Sequence, residues 1–314
     1  MVFHFALSHI SLSIVFPFSS PQAANDSKMA APAASLTSQP FRWAIASWSF
    51  FILENTVLSE NRTLLISHLG DQNYHACYGL CSTVAMGSVG YAYKMVRNAE
   101  PMMWNSIKGA PMGAKVGSFA CFTLGLGMMS QMPPKLQIPV EYRGEPVGDS
   151  TVQPNAMNSA ANKTLSEEQS SGWKVRCPFD FTDNKNPDSN SVAGLERITR
   201  HPGLWSFAFL GLGQAFLTPS LPQRVWFAMP TLVALIGGAH TDSRYKRGMG
   251  GCLDESYEKI TSNVPFWAIC SGKQGQIGNV LKDMGEEIKP LNALIAVGAA
   301  GVWVLRRGRG IKLV

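Results

Sequence analysis

Six apolar segments, separated by polar or basic stretches, constrain the fold of this 314-residue chain more than any other feature. Several are nearer 15 residues than the roughly 20 that cross the hydrocarbon core of a bilayer, but flanking Trp, Tyr, Lys and Arg extend such helices through the interface. The pattern predicts an all-α fold, a polytopic membrane bundle of about six transmembrane helices. The segments are Arg42 to Leu58, His75 to Tyr93, Pro111 to Met132, Gly203 to Leu217, Arg224 to His240 (interrupted by Pro230) and Leu291 to Leu305.

Small residues in the third segment indicate close helix packing. Gly113, Gly117, Cys121 and Gly125 recur at four-residue spacing and therefore share one helix face. Membrane helices associate through such faces because small residues let their backbones approach. Only 15% of the residues are charged, against about a quarter in average soluble domains, which favours a bundle in lipid over a soluble helical protein.

The chain outside these segments divides into regions of different character. Residues 1–40 are an apolar stretch followed by an Ala-, Ser- and Pro-rich piece, typical of a targeting leader or a disordered tail. Residues 133–192 lack apolar periodicity, which predicts a polar, flexible insertion. The predicted helices then fall into three parts: three in 41–132, two in 193–275, and one in 276–314 together with a basic tail.

The net charge of +6 arises mostly from basic residues beside the apolar segments. Attraction to a membrane surface is the common reason for that placement, so we expect membrane lipid as a partner. The basic residues are not interleaved with aromatic ones, and we expect no binding to nucleic acid. Lys94 and Arg97 flank one side of the predicted bundle, and Arg244 and Arg247 flank the other, so the charge leaves the orientation open.

The most suggestive chemistry lies where the fourth apolar segment begins, at Arg200-His201-Pro202. Pro202 suits the first helical position, because its missing N–H would be unpaired there in any case. His201 would then lie at the N-cap, where the helix dipole favours the neutral imidazole that binds metals. The alternative is an interfacial histidine that caps the helix or contacts headgroups.

Polar groups within the predicted spans are a second lead, because polar placement in a membrane is unfavourable. They are Glu54 and Asn55 in the first span, Gln214 in the fourth and His240 at the end of the fifth. The alternative is that each makes an ordinary interhelical hydrogen bond or lies at the interface. No C-x-x-C pair, HExxH, phosphate loop or nucleophile elbow indicates zinc, nucleotide or hydrolase chemistry.

Two blocks of the sequence resemble the NnrU family of polytopic membrane proteins. One is Glu196-Arg-Ile-Thr-Arg-His-Pro-Gly, and the other is Val264-Pro-Phe-Trp-Ala-Ile-Cys-Ser-Gly-Lys-Gln. The resemblance covers roughly Trp43 to Gln274, apart from the polar insertion. Bacterial members accompany denitrification, and plant and cyanobacterial members include 15-cis-zeta-carotene isomerase.

The resemblance implies haem b held by histidines, isomerisation of a carotenoid double bond, and an apolar polyene as substrate in a plastid membrane. It implies His201 as a ligand of the haem iron. His240, the second candidate cofactor-binding residue, is an alternative second ligand to His75 and His68, and the sequence leaves that choice open. Asn55 and Gln214 stand where family members usually carry the other membrane histidines. The alternative is a non-enzymatic member without haem, in assembly or in a nitrogen-oxide (denitrification) related process. A transporter using Glu54 and Gln214 is disfavoured by the lack of internal repeats.

Overall fold

The structure, a computed structural model, describes residues 38–99, 110–132, 140–143, 172–175, 192–249 and 251–307, all within the compact unit Leu36–Val314. These residues form helices, a short 3-10 helix (η1) and one pair of strands. The helices are α1 Gln39–Glu60, α2 Arg62–Leu69, α3 Asp71–Ala99, α4 Met112–Gln131, η1 Gly194–Arg197, α5 Pro202–Leu217, α6 Leu221–Ala228, α7 Pro230–Lys246, α8 Glu255–Ile260, α9 Trp267–Cys270, α10 Ile277–Glu287 and α11 Pro290–Arg307.

All six apolar segments fold as helices, so the all-α prediction is confirmed for them. They correspond to α1, α3, α4, α5, the pair α6 and α7, and α11. The fifth segment is divided at Pro230, which begins α7 because a proline inside a helix removes a backbone hydrogen bond and clashes with the preceding turn. α2 and α8 to α10 are short helices in the connections, outside the predicted segments.

The prediction of six spans is confirmed only in part. Among the described helices, α4 is long and apolar enough to cross a membrane, and α10 with α11 would make a second span if that pair, bent by 94°, is counted as one. α5 is apolar but has 16 residues. α1 has 22 residues, yet polar side chains lower its hydropathy, and several of these are buried inside the bundle: Ser47, Glu54, Asn55 and Ser59.

Neighbouring long helices run antiparallel. α1 packs on α3, α4 packs between α5 and α11, and α5 packs on α6 and α7. At one end, here the capped end, α5 begins and α7 ends, and η1 and α8 to α10 lie there. At the other end, here the basic end, α1 and α4 begin and α3, α5 and α11 end. Its cations are Arg42, Lys94, Arg97, Lys115, Arg224, Arg306 and Arg307.

Aromatic and small residues form the cores between the helices. The larger core joins α1, α3, α5 and α7 through residues such as Trp48, Val89, Trp205 and Val233. The predicted glycine stripe of α4 is used in part. A side chain at Gly125 would meet Leu210 and the Ser206 carbonyl of α5, whereas one at Gly113 would meet nothing. Close approach therefore involves the second half of that stripe.

One strand pair lies within the predicted polar insertion, 133–192, whose flexibility stays a prediction. β1 (Val140–Arg143) pairs antiparallel with β2 (Gly172–Val175). Both stretches contain the β-branched and aromatic residues that favour strands, a signal that the polar composition around them conceals. The leader prediction for residues 1–40 and the remainder of the insertion fall outside the described residues, apart from 38–40 and residue 192.

Candidate functional site

The start of α5 has the geometry that its sequence predicts. Pro202 occupies the first turn and His201 is the N-cap residue. The side chain of His201 does not cap the helix, however, because it turns towards the end of α7. Its Nε2 lies 2.8 Å from Oδ1 of Asp242, and the imidazole is buried. An ionised carboxylate only accepts hydrogen bonds, so Nε2 carries a hydrogen and donates a hydrogen bond to Asp242.

Asp242 is shared between His201 and Arg200. Arg200 donates from Nη2 and Nε to the second carboxylate oxygen, Oδ2, at 2.6 and 3.1 Å. The side chains of Arg200, His201 and Asp242 are only 10%, 7% and 11% exposed, so the ion pair is shielded from water. Burial on its own would raise the pKa of Asp242, but the hydrogen bonds and charges of His201 and Arg200 outweigh it, and the pKa is lowered.

The loop that carries the Val264-Pro-Phe block closes over this cluster. The backbone N–H of Arg200 donates to the Ser262 carbonyl at 2.9 Å, and that of Phe266 donates to the Ile198 carbonyl at 2.9 Å. Phe266 has φ 61°, a left-handed conformation that is uncommon for a bulky residue and turns the loop here. The two sequence blocks that carry the family resemblance are therefore parts of a single folded unit.

Two further contacts of this unit were not predicted. Asn263 donates to the Leu235 carbonyl of α7 at 3.1 Å and accepts from Trp205 Nε1 of α5 at 3.3 Å. Tyr257 donates to Glu196 at 2.9 Å, and burial, followed by the charge of that carboxylate, raises the pKa of Tyr257. The sequence signal for Asn263 was its position directly before the Val264-Pro-Phe block, and Tyr257, in α8, had no comparable signal.

The amide of Asn55 is satisfied within the bundle. Its Nδ2 donates to the Phe51 carbonyl at 2.9 Å and to Glu54 Oε2 at 2.7 Å, and its Oδ1 accepts from the Tyr78 hydroxyl of α3 at 2.8 Å. Asn55 thus serves as an interhelical hydrogen-bonding residue. Glu54 is buried beside it, and its Oε1 makes no hydrogen bond within the described part of the chain.

His240 and Gln214 lie apart from the Arg200–His201–Asp242 cluster. His240 Nε2 is 2.7 Å from Ser59 Oγ of α1, and Glu60 is the nearest carboxylate, at 4.0 Å from Nδ1. Gln214 lies near the basic end, where its Oε1 accepts from Trp303 Nε1 of α11 at 3.3 Å. The structure therefore brings Glu54, Asn55 and His240 near one another, since Ser59 contacts His240 and also donates to the Asn55 carbonyl at 2.6 Å. His201 and Gln214 lie elsewhere.

Comparison with known proteins identifies the family. The family model described as NnrU protein matches residues 43–306. This chain belongs to the NnrU family. The match reaches α10 and α11, beyond the limit near Gln274 that the sequence motifs indicated. No curated protein and no solved structure matches the chain.

In this NnrU protein, His201 and His240 do not present their Nε2 atoms to a common site. Both Nε2 atoms are engaged by protein groups, and His201 reaches α7 through Asp242, two positions after His240. Two positions correspond to about 200° around a helix. His240 therefore projects from a different face of α7 than Asp242, the residue that contacts His201. His68 is exposed on α2, and His75 lies 3.4 Å from Asp71. Nowhere in the described ranges do three or more His, Cys, Asp or Glu side chains form a metal-binding group.

Proposed function

We propose that this NnrU family chain is a non-enzymatic integral membrane protein in which the Arg-His-Pro block closes one end of a six-helix scaffold that acts in membrane-protein assembly. The observation that carries the proposal is the hydrogen bond from His201 Nε2 to Asp242. That bond engages Nε2 of a buried imidazole and joins the start of α5 to the end of α7.

The distribution of polarity supports a membrane location. Large apolar side chains lie on the outside, for example Leu80 at 68% and Leu294 at 69% exposure, while the polar Asn55 and Ser118 are fully buried. Large contiguous apolar surfaces are rare on soluble monomers, and a bilayer is the solvent that favours this arrangement. Hydropathy averaged over a helix does not detect this arrangement, because the buried polar residues lower the average for the whole helix.

Helix lengths support the same location. At 1.5 Å per residue, the 22 residues of α1 extend about 33 Å and the 20 residues of α4 about 30 Å. The hydrocarbon core of a bilayer is about 30 Å thick. α6 and α7 reach a comparable length together, with the break at Pro230 between them.

A stable polar cap is consistent with a scaffold role. Because the Arg200–His201–Asp242 cluster and the loop that carries the Val264-Pro-Phe block bind each other through buried polar contacts, the relative positions of α5 and α7 are fixed at this end. The apolar outer faces of α4 and α11 then remain available to lipid or to other membrane proteins.

Two measurements test the proposal. The protein should remain in the membrane pellet after alkaline carbonate extraction; release into the supernatant would contradict the membrane location. Detergent-purified protein titrated with haem b should show no saturable Soret band that depends on His201. The decisive comparison is wild type with His201→Ala: a stoichiometric band lost in the variant would establish haem binding and reject a scaffold without a cofactor.

A further inference from the structure

The basic end of the bundle differs in charge from the capped end. Its cations come from five elements that the fold brings to one level: the start of α1, the end of α3, the start of α4, α6 and the end of α11. Among the helical residues that the structure describes, none with a carboxylate lies at this level. Glu54, the nearest in α1, is fifteen positions beyond Gln39, or about 22 Å along the helix.

Most of these cations have no counterion among the residues that the structure describes. Arg42, Lys94, Arg97 and Arg306 are exposed and make no ion pair with any described residue. At the capped end, Arg197, Arg200, Lys246 and Arg247 pair with carboxylates. Exposed lysines also lie there, but on a surface that carries exposed carboxylates such as Glu255 and Glu286. The unpaired cations are therefore not needed for interactions inside the fold.

Aromatic side chains accompany these cations. Trp43 packs edge-on against Tyr91 with ring centroids 5.1 Å apart, joining the start of α1 to the end of α3. Trp303 is exposed near the end of α11, and the guanidinium of Arg307 lies 5.0 Å from its ring centroid. Exposed Trp and Tyr beside Lys and Arg are typical of the membrane–water interface, where the rings lie at headgroup depth and the cations reach outward.

We propose that the basic end is a binding surface for anionic lipid headgroups. The proposal rests on the membrane location argued above. Phosphate oxygens of the headgroups supply the negative charge that the described carboxylates do not, and exposed Arg and Lys of α1, α3 and α11 place donors around the perimeter of the bundle. Because the cations are spread around the perimeter, a layer of lipid matches them better than one small anion does.

The test uses bilayers of defined composition. Wild-type protein is reconstituted into phosphatidylcholine vesicles containing brominated phosphatidylglycerol or brominated phosphatidylcholine, and quenching of tryptophan fluorescence gives the relative affinity for the two lipids. The variant carries Arg42→Gln, Lys94→Gln, Arg97→Gln and Arg306→Gln. The matched control removes four exposed cations near the capped end through Lys259→Gln, Lys273→Gln, Lys282→Gln and Lys289→Gln.

Wild type and control should prefer the anionic lipid by about threefold or more, and the preference should weaken at high salt. The basic-end variant should bind both lipids equally. Equal affinities in wild type, or an equal loss in the control, would overturn the lipid-binding surface while leaving the membrane location intact. Failure of every protein to enter either vesicle would instead reject the membrane location. Binding of inorganic phosphate with the same strength as the lipid would overturn the assignment to lipid.

Discussion

The two ends of the bundle differ in how far their charged side chains are buried and paired with one another. At the capped end, Arg200 and His201 share Asp242 in a buried cluster, and Arg197 forms a bidentate pair with Glu287. At the basic end, exposed cations such as Arg42 and Lys94 face outward without a described carboxylate. The comparison teaches that the same residue types serve folding at one end and the surroundings at the other. Substitutions at the capped end should therefore change stability, and those at the basic end should not.

The largest effect should come from removing Asp242. In Asp242→Ala, the guanidinium of Arg200 stays buried without its carboxylate, and breaking a buried pair on one side costs about 3–5 kcal/mol. The measurement is the free energy of unfolding in detergent micelles. Glu286→Ala, an exposed substitution in α10, is the control and should change it by less than about 0.5 kcal/mol. A small effect of Asp242→Ala would mean that the cluster does not hold the capped end together.

The next largest effect should come from disturbing the close contact between α5 and α6. A Cβ at Gly211 of α5 would overlap the Phe227 carbonyl oxygen of α6, whereas one at Gly127 of α4 would meet nothing within 4 Å. Gly211→Ala should therefore destabilise by about 1–3 kcal/mol through overpacking. Gly127→Ala should be neutral or stabilise by up to about 1 kcal/mol, because alanine favours the helix. Thermal unfolding of both variants tests this; equal shifts would argue against the α5–α6 contact.

A smaller effect is expected from the partly exposed pair that attaches α10 to η1. The hydrogen bond from Arg197 lowers the pKa of Glu287, although burial opposes it. A carboxyl whose pKa is lowered on folding stabilises the fold above its unfolded pKa, and that contribution is lost as the pH falls through the folded pKa. Glu287→Gln should remove at most about 1 kcal/mol at neutral pH and flatten the acidic part of the stability profile. An unchanged acid profile would contradict the role of this pair.

The smallest effect should follow from neutralising the basic end. The variant with Arg42→Gln, Lys94→Gln, Arg97→Gln and Arg306→Gln breaks no ion pair among the described residues. Its free energy of unfolding in zwitterionic detergent should stay within about 0.5 kcal/mol of the wild type for the four substitutions together. A loss comparable to that of Asp242→Ala would show that these cations serve the fold, and the contrast between the two ends would fail.

Sequence periodicity predicted the helices well, because long apolar runs between polar stretches have few other solutions. It also placed Pro202 and His201 at the start of α5 correctly. The partners of the polar groups could not be predicted in the same way. Asp242 contacts residues about 40 positions away, and the pairing of Tyr78 with Asn55 depends on how α1 and α3 are rotated against each other. Those contacts follow from three-dimensional packing, which neither spacing nor residue type specifies.

The difference between motif and geometry is clearest at His201. Its position in the Arg-His-Pro block predicted a cofactor ligand, and the family resemblance strengthened that prediction. Residue type alone cannot distinguish an imidazole that binds iron from one that donates a hydrogen bond to a carboxylate. Both are buried, and the protonation state of each depends on its neighbours. The decisive information was the rotation of α7, which presents Asp242 to His201 and His240 to α1.

The central claim is that His201 stabilises the capped end through Asp242, and a double-mutant cycle tests it most directly. The free energy of unfolding is measured for wild type, His201→Ala, Asp242→Ala and the double variant under identical detergent conditions. Direct contact predicts that the double variant loses less than the sum of the single losses, with a coupling of about 1–3 kcal/mol. Additive losses, to within about 0.5 kcal/mol, would contradict the claim.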